Sequence, residues 1–176
     1  RHPRNLGKGM AVKSGFLAAR GETVLFTDAD HSTPIDELPK IMTQIHRGYD
    51  IVIGSRALPD SIIDEHQPLY RELMGKTFNL LVRIITVHGI HDTQCGFKAF
   101  NRESCEPVFR LQRLGGFSFD VEILFSAQKQ QLSIREVPIR WRNNTATHVS
   151  TIKDSLRMFR DLFRIRCNQL LGRYKL

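Results

Sequence analysis

Asp28-Ala29-Asp30 places two carboxylates two residues apart, directly after the apolar run Thr23-Val24-Leu25-Phe26-Thr27. That run, rich in β-branched and aromatic residues, reads as a short buried strand. In a strand, residues i and i+2 point to the same side. A pair of hard oxygens at a strand's C-terminal end suits Mg²⁺ or Mn²⁺ carrying a phosphate. In open α/β sheets that end is also where ligands bind. The competing reading is a plain strand exit, because Asp favours turns and helix caps.

Three more groups could act beside that pair. Gly7-Lys8-Gly9 would let backbone N–H groups approach an anion, with Lys8 adding charge. It is neither a P-loop nor a dinucleotide fingerprint, since Val12 stands where both patterns need glycine. Gly54-Ser55-Arg56 ends a second apolar run and puts a guanidinium at the same sheet edge, able to grip a phosphate with two N–H groups. Asp92-Thr93-Gln94-Cys95-Gly96-Phe97-Lys98 offers a carboxylate, an amide and a cation, and reads as a polar loop between helices. Each has a bland alternative: a glycine-rich turn, a surface arginine, a helix-connecting turn.

The elements that must position these groups alternate between helix and strand. Lys8 to Ala19 reads as a helix, and residues 23–27 as the first strand. A helix over Ile35–His46 opens with Thr33-Pro34 and two acids in its first turn. Asp50 to Gly54 is a second buried strand. After an irregular stretch from Ala57 to Gln67, a long helix runs from Pro68 to Val87, and Gly89 ends it. Asn101–Arg110 and Asp120–Gln130 read as helices. Ser133–Trp141 reads as a strand, with Pro138 marking an edge. A basic helix closes the chain. This order implies an α/β fold with a mostly parallel sheet flanked by helices.

The chain has 176 residues, 41% of them apolar, enough for one domain with a core. No apolar run is long enough to span a bilayer. It opens Arg1-His2-Pro3-Arg4, so an excerpt of a longer protein is expected. Three scattered cysteines (Cys95, Cys105, Cys167) suit a reducing compartment. The net charge is +8, and residues 151–176 hold seven basic and two acidic residues. That concentration points to a polyanionic partner. No nucleic-acid motif is present, and the aromatics do not interleave with the basic residues as a stacking surface would, so nucleic acid is not expected.

The order Asn5-Leu6-Gly7-Lys8-Gly9, Asp28-Ala29-Asp30, Gly54-Ser55-Arg56, Asp92 to Lys98 and Phe119-Asp120-Val121-Glu122 resembles the dolichyl-phosphate β-glucosyltransferases. These belong with the polyprenyl-phosphate sugar synthases among inverting GT-A, family 2-like glycosyltransferases. The resemblance covers about Asn5 to Trp141. It implies a Rossmann-like GT-A fold lacking its first strands, because the family's Pro-x-Tyr-Asn-Glu-like opening and the acidic turn that holds uracil are not found. It implies a UDP-sugar donor, a polyprenyl (dolichyl) phosphate acceptor and a divalent metal. Asp28, Asp30 and Gln94 match the metal site, with Asp30 the likelier direct ligand. Lys8, Arg56, Arg71 and Arg142 match substrate-binding positions, the last on a loose alignment. Asp92 sits where a role in the reaction is expected, with positioning as the default over general base. After Trp141, residues 143–150 depart from the family's Gly-Ser-Lys stretch.

The expected chemistry is one displacement: a lipid-phosphate oxygen attacks the anomeric carbon of a UDP-hexose, UDP leaves, and the configuration inverts. Glucose is favoured by the Asp92 to Lys98 stretch, with mannose or another hexose open. A non-catalytic phosphate- or lipid-binding module of the same fold is the alternative. Residues 1–149 are expected to form a partial catalytic domain and 150–176 a basic amphipathic helix. Along it Ile152, Leu156, Phe159, Phe163, Cys167 and Leu170 form one stripe, flanked by Arg157, Arg160 and Arg164. Such helices lie on anionic membranes, here at the cytoplasmic face. The alternative is a helix packed on the core. His88 and His91 suggest no zinc set, Asn143-Asn144-Thr145 is a weak sequon, and Val137 replaces the Gln of a processive Q-x-x-R-W motif.

Overall fold

In the computed structural model of the chain the described residues are 2–65, 68–143 and 151–175, with side chains from 154 onward in the last stretch. Asn144 and Thr145 of the sequon lie outside the described residues, and the stripe residue Ile152 lies outside the described side chains.

Helix α1 (Lys8–Ala18) leads into β1 (Thr23–Thr27). A 3-10 turn at Ile35–Glu37 feeds α2 (Leu38–His46), and β2 (Ile51–Ser55) follows. β3 (Ile62–Glu65) lies in the stretch that reads as irregular in the sequence. α3 (Leu69–Ile85) then crosses to the loop that Gly89 turns with a positive φ. After it come β4 (Phe97–Asn101), α4 (Arg102–Leu111), α5 (Phe119–Lys129), β5 (Ile134–Pro138), β6 (Arg140–Arg142) and α6 (Thr151–Leu170).

The main sheet has the order β1-β4-β2-β5, and β3 pairs with β6 in a second, two-stranded sheet. The main sheet is mixed rather than mostly parallel. β4 runs antiparallel to both neighbours, and only the β2–β5 ladder is parallel. β1, β2 and β5 nevertheless share a direction. β4 escapes a sequence reading because its charged Lys98 hides the apolar Phe97, Ala99 and Phe100 in a stretch that looks like a polar loop. β1 is half-buried rather than buried, since β4 covers one edge only. β5 is an edge strand, as Pro138 requires.

Phe100 on β4 meets Phe16 of α1 and Phe109 of α4 edge to face, and Phe26 of β1 meets Phe119 of α5. These contacts seat α1, α4 and α5 on one face of the sheet. Aromatic pairs of this kind add about 0.5–1.5 kcal/mol each beyond their burial. α2 packs on β2, β4 and β5, and α3 packs with α6. The core includes Leu162, Ile165 and Tyr174 from the C-terminal segment.

Candidate active site

The two acids follow β1, and a turn rather than the strand's pleat places them. Asp28 O accepts the amide of His31, and Asp30 Oδ1 accepts that of Ser32 at 3.0 Å. His31 takes a positive φ to complete the turn. Asp28 is half-buried and Asp30 exposed. The Asp28 amide donates to Gly96 O at 2.9 Å. A Cβ at Gly96 would stand 2.1 Å from Asp28 Oδ2, so only glycine leaves room for the carboxylate. Lys8 Nζ stands 2.7 Å from Asp28 Oδ1. Apart from that ion pair, Oδ1, itself out of solvent, has no hydrogen-bond partner among the described residues.

The turn before α1 brings Lys8 to that carboxylate. Asn5 Oδ1 accepts the Gly7 amide at 2.8 Å, and the Gly9 amide donates to Gly115 O at 2.8 Å. Gly7 has φ +92° and lies flat on Gly115, where a Cβ would come within 2.2 Å of its carbonyl oxygen. Lys13, the lysine of the excluded P-loop pattern, donates instead to the carbonyls of Arg110 and Gln112.

Behind the acids lies a buried ion pair. Lys98, 1% exposed, donates to Asp120 Oδ1 at 2.7 Å and to Cys95 O. Burial pushes the Asp120 carboxyl up, and Lys98 pulls it only partly back. Burial also pushes the Cys95 thiol up to about 12, which removes it as a nucleophile.

A second constellation stands at the end of β2. Asp92, 2% exposed, accepts from Arg56 three times: from its amide at 2.9 Å, Nε at 2.7 Å and Nη2 at 2.8 Å. Burial alone would raise the Asp92 carboxyl, but the Arg56 charge and its hydrogen bonds outweigh it and hold the group below the usual carboxylate range. The Arg56 guanidinium also lies over Trp141, 5.2 Å from the ring centroid. Arg56, Arg71, Lys76, Asn79, Asp92 and Trp141 line a cavity of about 290 Å³.

The structure thus brings Lys8 to Asp28, and Arg56, Arg71 and Asp92 to one cavity. Gln94 is half-buried in the turn before Gly96. Arg142 is not among the cavity's lining residues. Its guanidinium pairs with Glu65 on the surface at 2.9 Å, while its amide donates to Ser32 O. Lys76 and Glu136 belong to the site or its support, and sequence spacing singles out neither; Lys98 and Asp120 each lie in a motif, but their pairing is visible only in the fold. Glu136 reaches the His91–Asp92 backbone from 44 residues away. Among the described residues no cluster of three or more His, Cys, Asp or Glu side chains could hold a metal.

The face of α6 toward the core carries Leu162, Ile165 and Asn168. The stripe Leu156, Phe159, Phe163, Cys167 and Leu170 is exposed. Leu69, Leu73, Leu80 and Ile84 of α3 are exposed as well. Arg157, Arg160 and Arg164 line a cavity of about 480 Å³ together with Lys8 and the Gly115-Gly116 loop. Among the described residues no helix is long and apolar enough to cross a membrane.

The glycosyl transferase family 2 model matches residues 1–109. A dolichyl-phosphate beta-glucosyltransferase of Trichomonas vaginalis is 39% identical, over 93% of this chain and 50% of its own length. Those of Dictyostelium discoideum and Saccharomyces cerevisiae are 36% and 35% identical over 98% of this chain, and 54% and 55% of their own lengths. The chain therefore spans about half the length of these curated relatives. Among solved structures, glucosyl-3-phosphoglycerate synthase of Mycobacterium tuberculosis with phosphoglyceric acid superposes with a TM-score of 0.67 at 17% identity, covering 93% of this chain and 56% of that one. The same enzyme with Mn²⁺ and UDP-glucose gives 0.62 at 18% identity, covering 99% of this chain and 57% of that one. These structures share the GT-A fold. By the family match over most of its length and by the order of its site residues, this chain belongs to glycosyl transferase family 2.

Proposed function

We propose that the protein of which this chain is part transfers glucose from UDP-glucose to a dolichyl-type polyprenyl phosphate, with inversion, at a membrane surface. The observation that carries this reading is the cavity that Arg56, Arg71 and Lys76 line together with Glu72 and Asp92. Three cations stand against two carboxylates there, Glu72 and the Asp92 that Arg56 already engages, and the remaining positive balance suits a phosphomonoester, with the Arg56 guanidinium laid over Trp141. The glucosyl group and the dolichyl carrier come from the relatives, which are dolichyl-phosphate beta-glucosyltransferases.

Asp28, Asp30 and Gln94 would hold Mg²⁺ or Mn²⁺. The fit rests on Asp28 Oδ1, an acceptor kept out of solvent beside an exposed second carboxylate. One or two carboxylates suffice for such ions, which retain waters and take phosphate oxygens. When bound, the metal supplies Lewis-acid stabilisation of charge on the leaving diphosphate. Lys8 adds a second positive charge on the donor side. On the acceptor side, Arg56 and Arg71 orient the phosphate so that one oxygen faces the anomeric carbon. The C1–O bond to UDP breaks as the new C1–O bond forms on the opposite face. The phosphate is ionised at neutral pH, so no strong base is needed. Asp92 keeps Arg56 in place.

The exposed apolar stripes of α3 and α6, with Arg157, Arg160 and Arg164 beside one of them, suit the surface of an anionic membrane. All three cysteines are free thiols, which suits the reducing cytoplasmic face.

The test uses the full-length protein with UDP-glucose and a short-chain polyprenyl phosphate. Asp30→Ala should lower turnover on the order of 10²-fold. Arg71→Ala should raise KM for the acceptor and leave KM for UDP-glucose unchanged. Unchanged kinetics in both variants reject the assignment.

A further inference from the structure

We infer that Glu136 is a positioning residue for the acceptor-phosphate site, acting through Asp92 on Arg56. The inference rests on the reading that this cavity takes the acceptor phosphate.

Glu136 stands on edge strand β5, opposite Ile53 of β2 in the parallel ladder. Its side chain is 9% exposed. A carboxylate is costly to bury on a strand unless its oxygens are used, and here both are. Oε1 accepts the Asp92 amide at 2.9 Å. Oε2 accepts the His91 amide at 2.9 Å and faces His91 Nδ1 at 2.9 Å. One carboxylate thus fastens two consecutive peptide groups of the segment that carries Asp92.

The bonds close a ring. Arg56 directly follows β2, and its amide, Nε and Nη2 all end on Asp92. The Asp92 backbone ends on Glu136, and Glu136 returns through β5 to β2 by the strand ladder. Each member holds the next. A free guanidinium on a flexible stem would pay rotamer entropy to meet a phosphate. In this ring it is held before the ligand arrives, and two of its five N–H groups serve Asp92. The other three are not used by that pair. Trp141 limits the guanidinium from one face. A side chain needed only to fill space beside β2 would not have to be charged.

The experiment is a double-mutant cycle in the full-length protein, read by KM for a short-chain polyprenyl phosphate and for UDP-glucose. Glu136→Ala should raise the acceptor KM by about tenfold and leave the donor KM within about twofold. Glu136→Gln keeps one acceptor oxygen and should fall between wild type and Glu136→Ala, which preserves the test if the alanine variant folds poorly. In an Arg56→Ala background the Glu136 penalty should vanish, because the group it acts through is gone. A merely structural role predicts otherwise: both KM values shift together, and the penalty persists without Arg56. Either result overturns the inference. If Arg56→Ala itself leaves the acceptor KM unmoved, the phosphate reading of the cavity fails, and the role of Glu136 falls with it.

Discussion

A carboxylate can wait for a cation in a fixed place only if its backbone is tied and its neighbour makes room. Gly96 does both for Asp28, accepting its amide and leaving empty the volume a side chain would fill. Gly96→Ala should therefore displace the Asp28 carboxylate. The expected result is a weaker apparent affinity for Mn²⁺, measured by metal titration of turnover, with the fold retained by circular dichroism. Unchanged metal dependence would show that Asp28 does not need this seat. Asp92 poses a different question, because its depressed carboxyl makes a weak base. Asp92→Asn should raise the acceptor KM and leave the shape of the pH–rate profile intact, whereas a general base would take the acid limb with it. The same group contributes to stability with a definite sign. Its folded-state value lies below the unfolded one, so its stabilisation is complete above the ordinary carboxylate value of about 3.9 and is lost as pH falls through the folded value. Unfolding midpoints of Asp92→Asn should accordingly lose less than wild type on acidification.

At the scale of elements, α6 turns two opposite faces to two different surroundings. Leu162 is 0% exposed and Phe163, one residue on, is 49% exposed. Substituting exposed residues shifts stability by only about 0.5 kcal/mol, while a buried Leu→Ala costs about 2–5 kcal/mol. Phe159→Ser with Phe163→Ser should thus weaken binding to anionic vesicles at unchanged melting temperature. Leu162→Ala should lower the melting temperature, and equal vesicle binding by wild type and the double serine variant would remove the stripe from the membrane. The existence of this helix is legible in the chain, as are α1, α2, α3, α4 and α5, because apolar spacing and Thr33-Pro34 are local signals. The direction of α6 is not legible. Two apolar lines run along it, and which one is buried is set by packing with the rest of the fold, α3 included, which no local signal in α6 encodes. The same holds for β4, where Lys98 reads as polar until Asp120 is known to lie beside it. The residues proposed for the donor side, Lys8, Asp28, Asp30 and Gln94, are legible because each belongs to a short motif. The ring through Glu136 is not, since its members come together only when β5 docks on β2.

At the scale of the whole molecule, the C-terminal segment and the Lys8–Asp28 pair of the proposed donor site are joined by one path of hydrogen bonds and an ion pair. Tyr174, just beyond α6, donates to Glu122 Oε1 at 2.6 Å. Glu122 Oε2 accepts the amides of Arg113 and Leu114, and the next residue, Gly115, accepts the amide of Gly9. Gly9 follows Lys8, whose ammonium meets Asp28. A division into residues 1–149 and 150–176 is thus best proposed as one of function, because the two segments share a core. The buried Glu122 carboxyl, which burial pushes up against its three hydrogen bonds, cannot spare a donor. Tyr174→Phe keeps the ring and deletes that donor, and leaving a buried acceptor unpaired costs about 1–3 kcal/mol. For a chain of this size each kcal/mol lowers the midpoint by about 2–4 °C. The expected outcome is a lower melting temperature together with a raised KM for UDP-glucose, as the loop that fixes Gly9 and Lys8 loosens, and an unchanged KM for the polyprenyl phosphate, whose proposed arginines, Arg56 and Arg71, lie away from this path. A variant that melts earlier with both KM values intact would confine the path to stability. One that melts and turns over like wild type would show that Glu122 finds another partner.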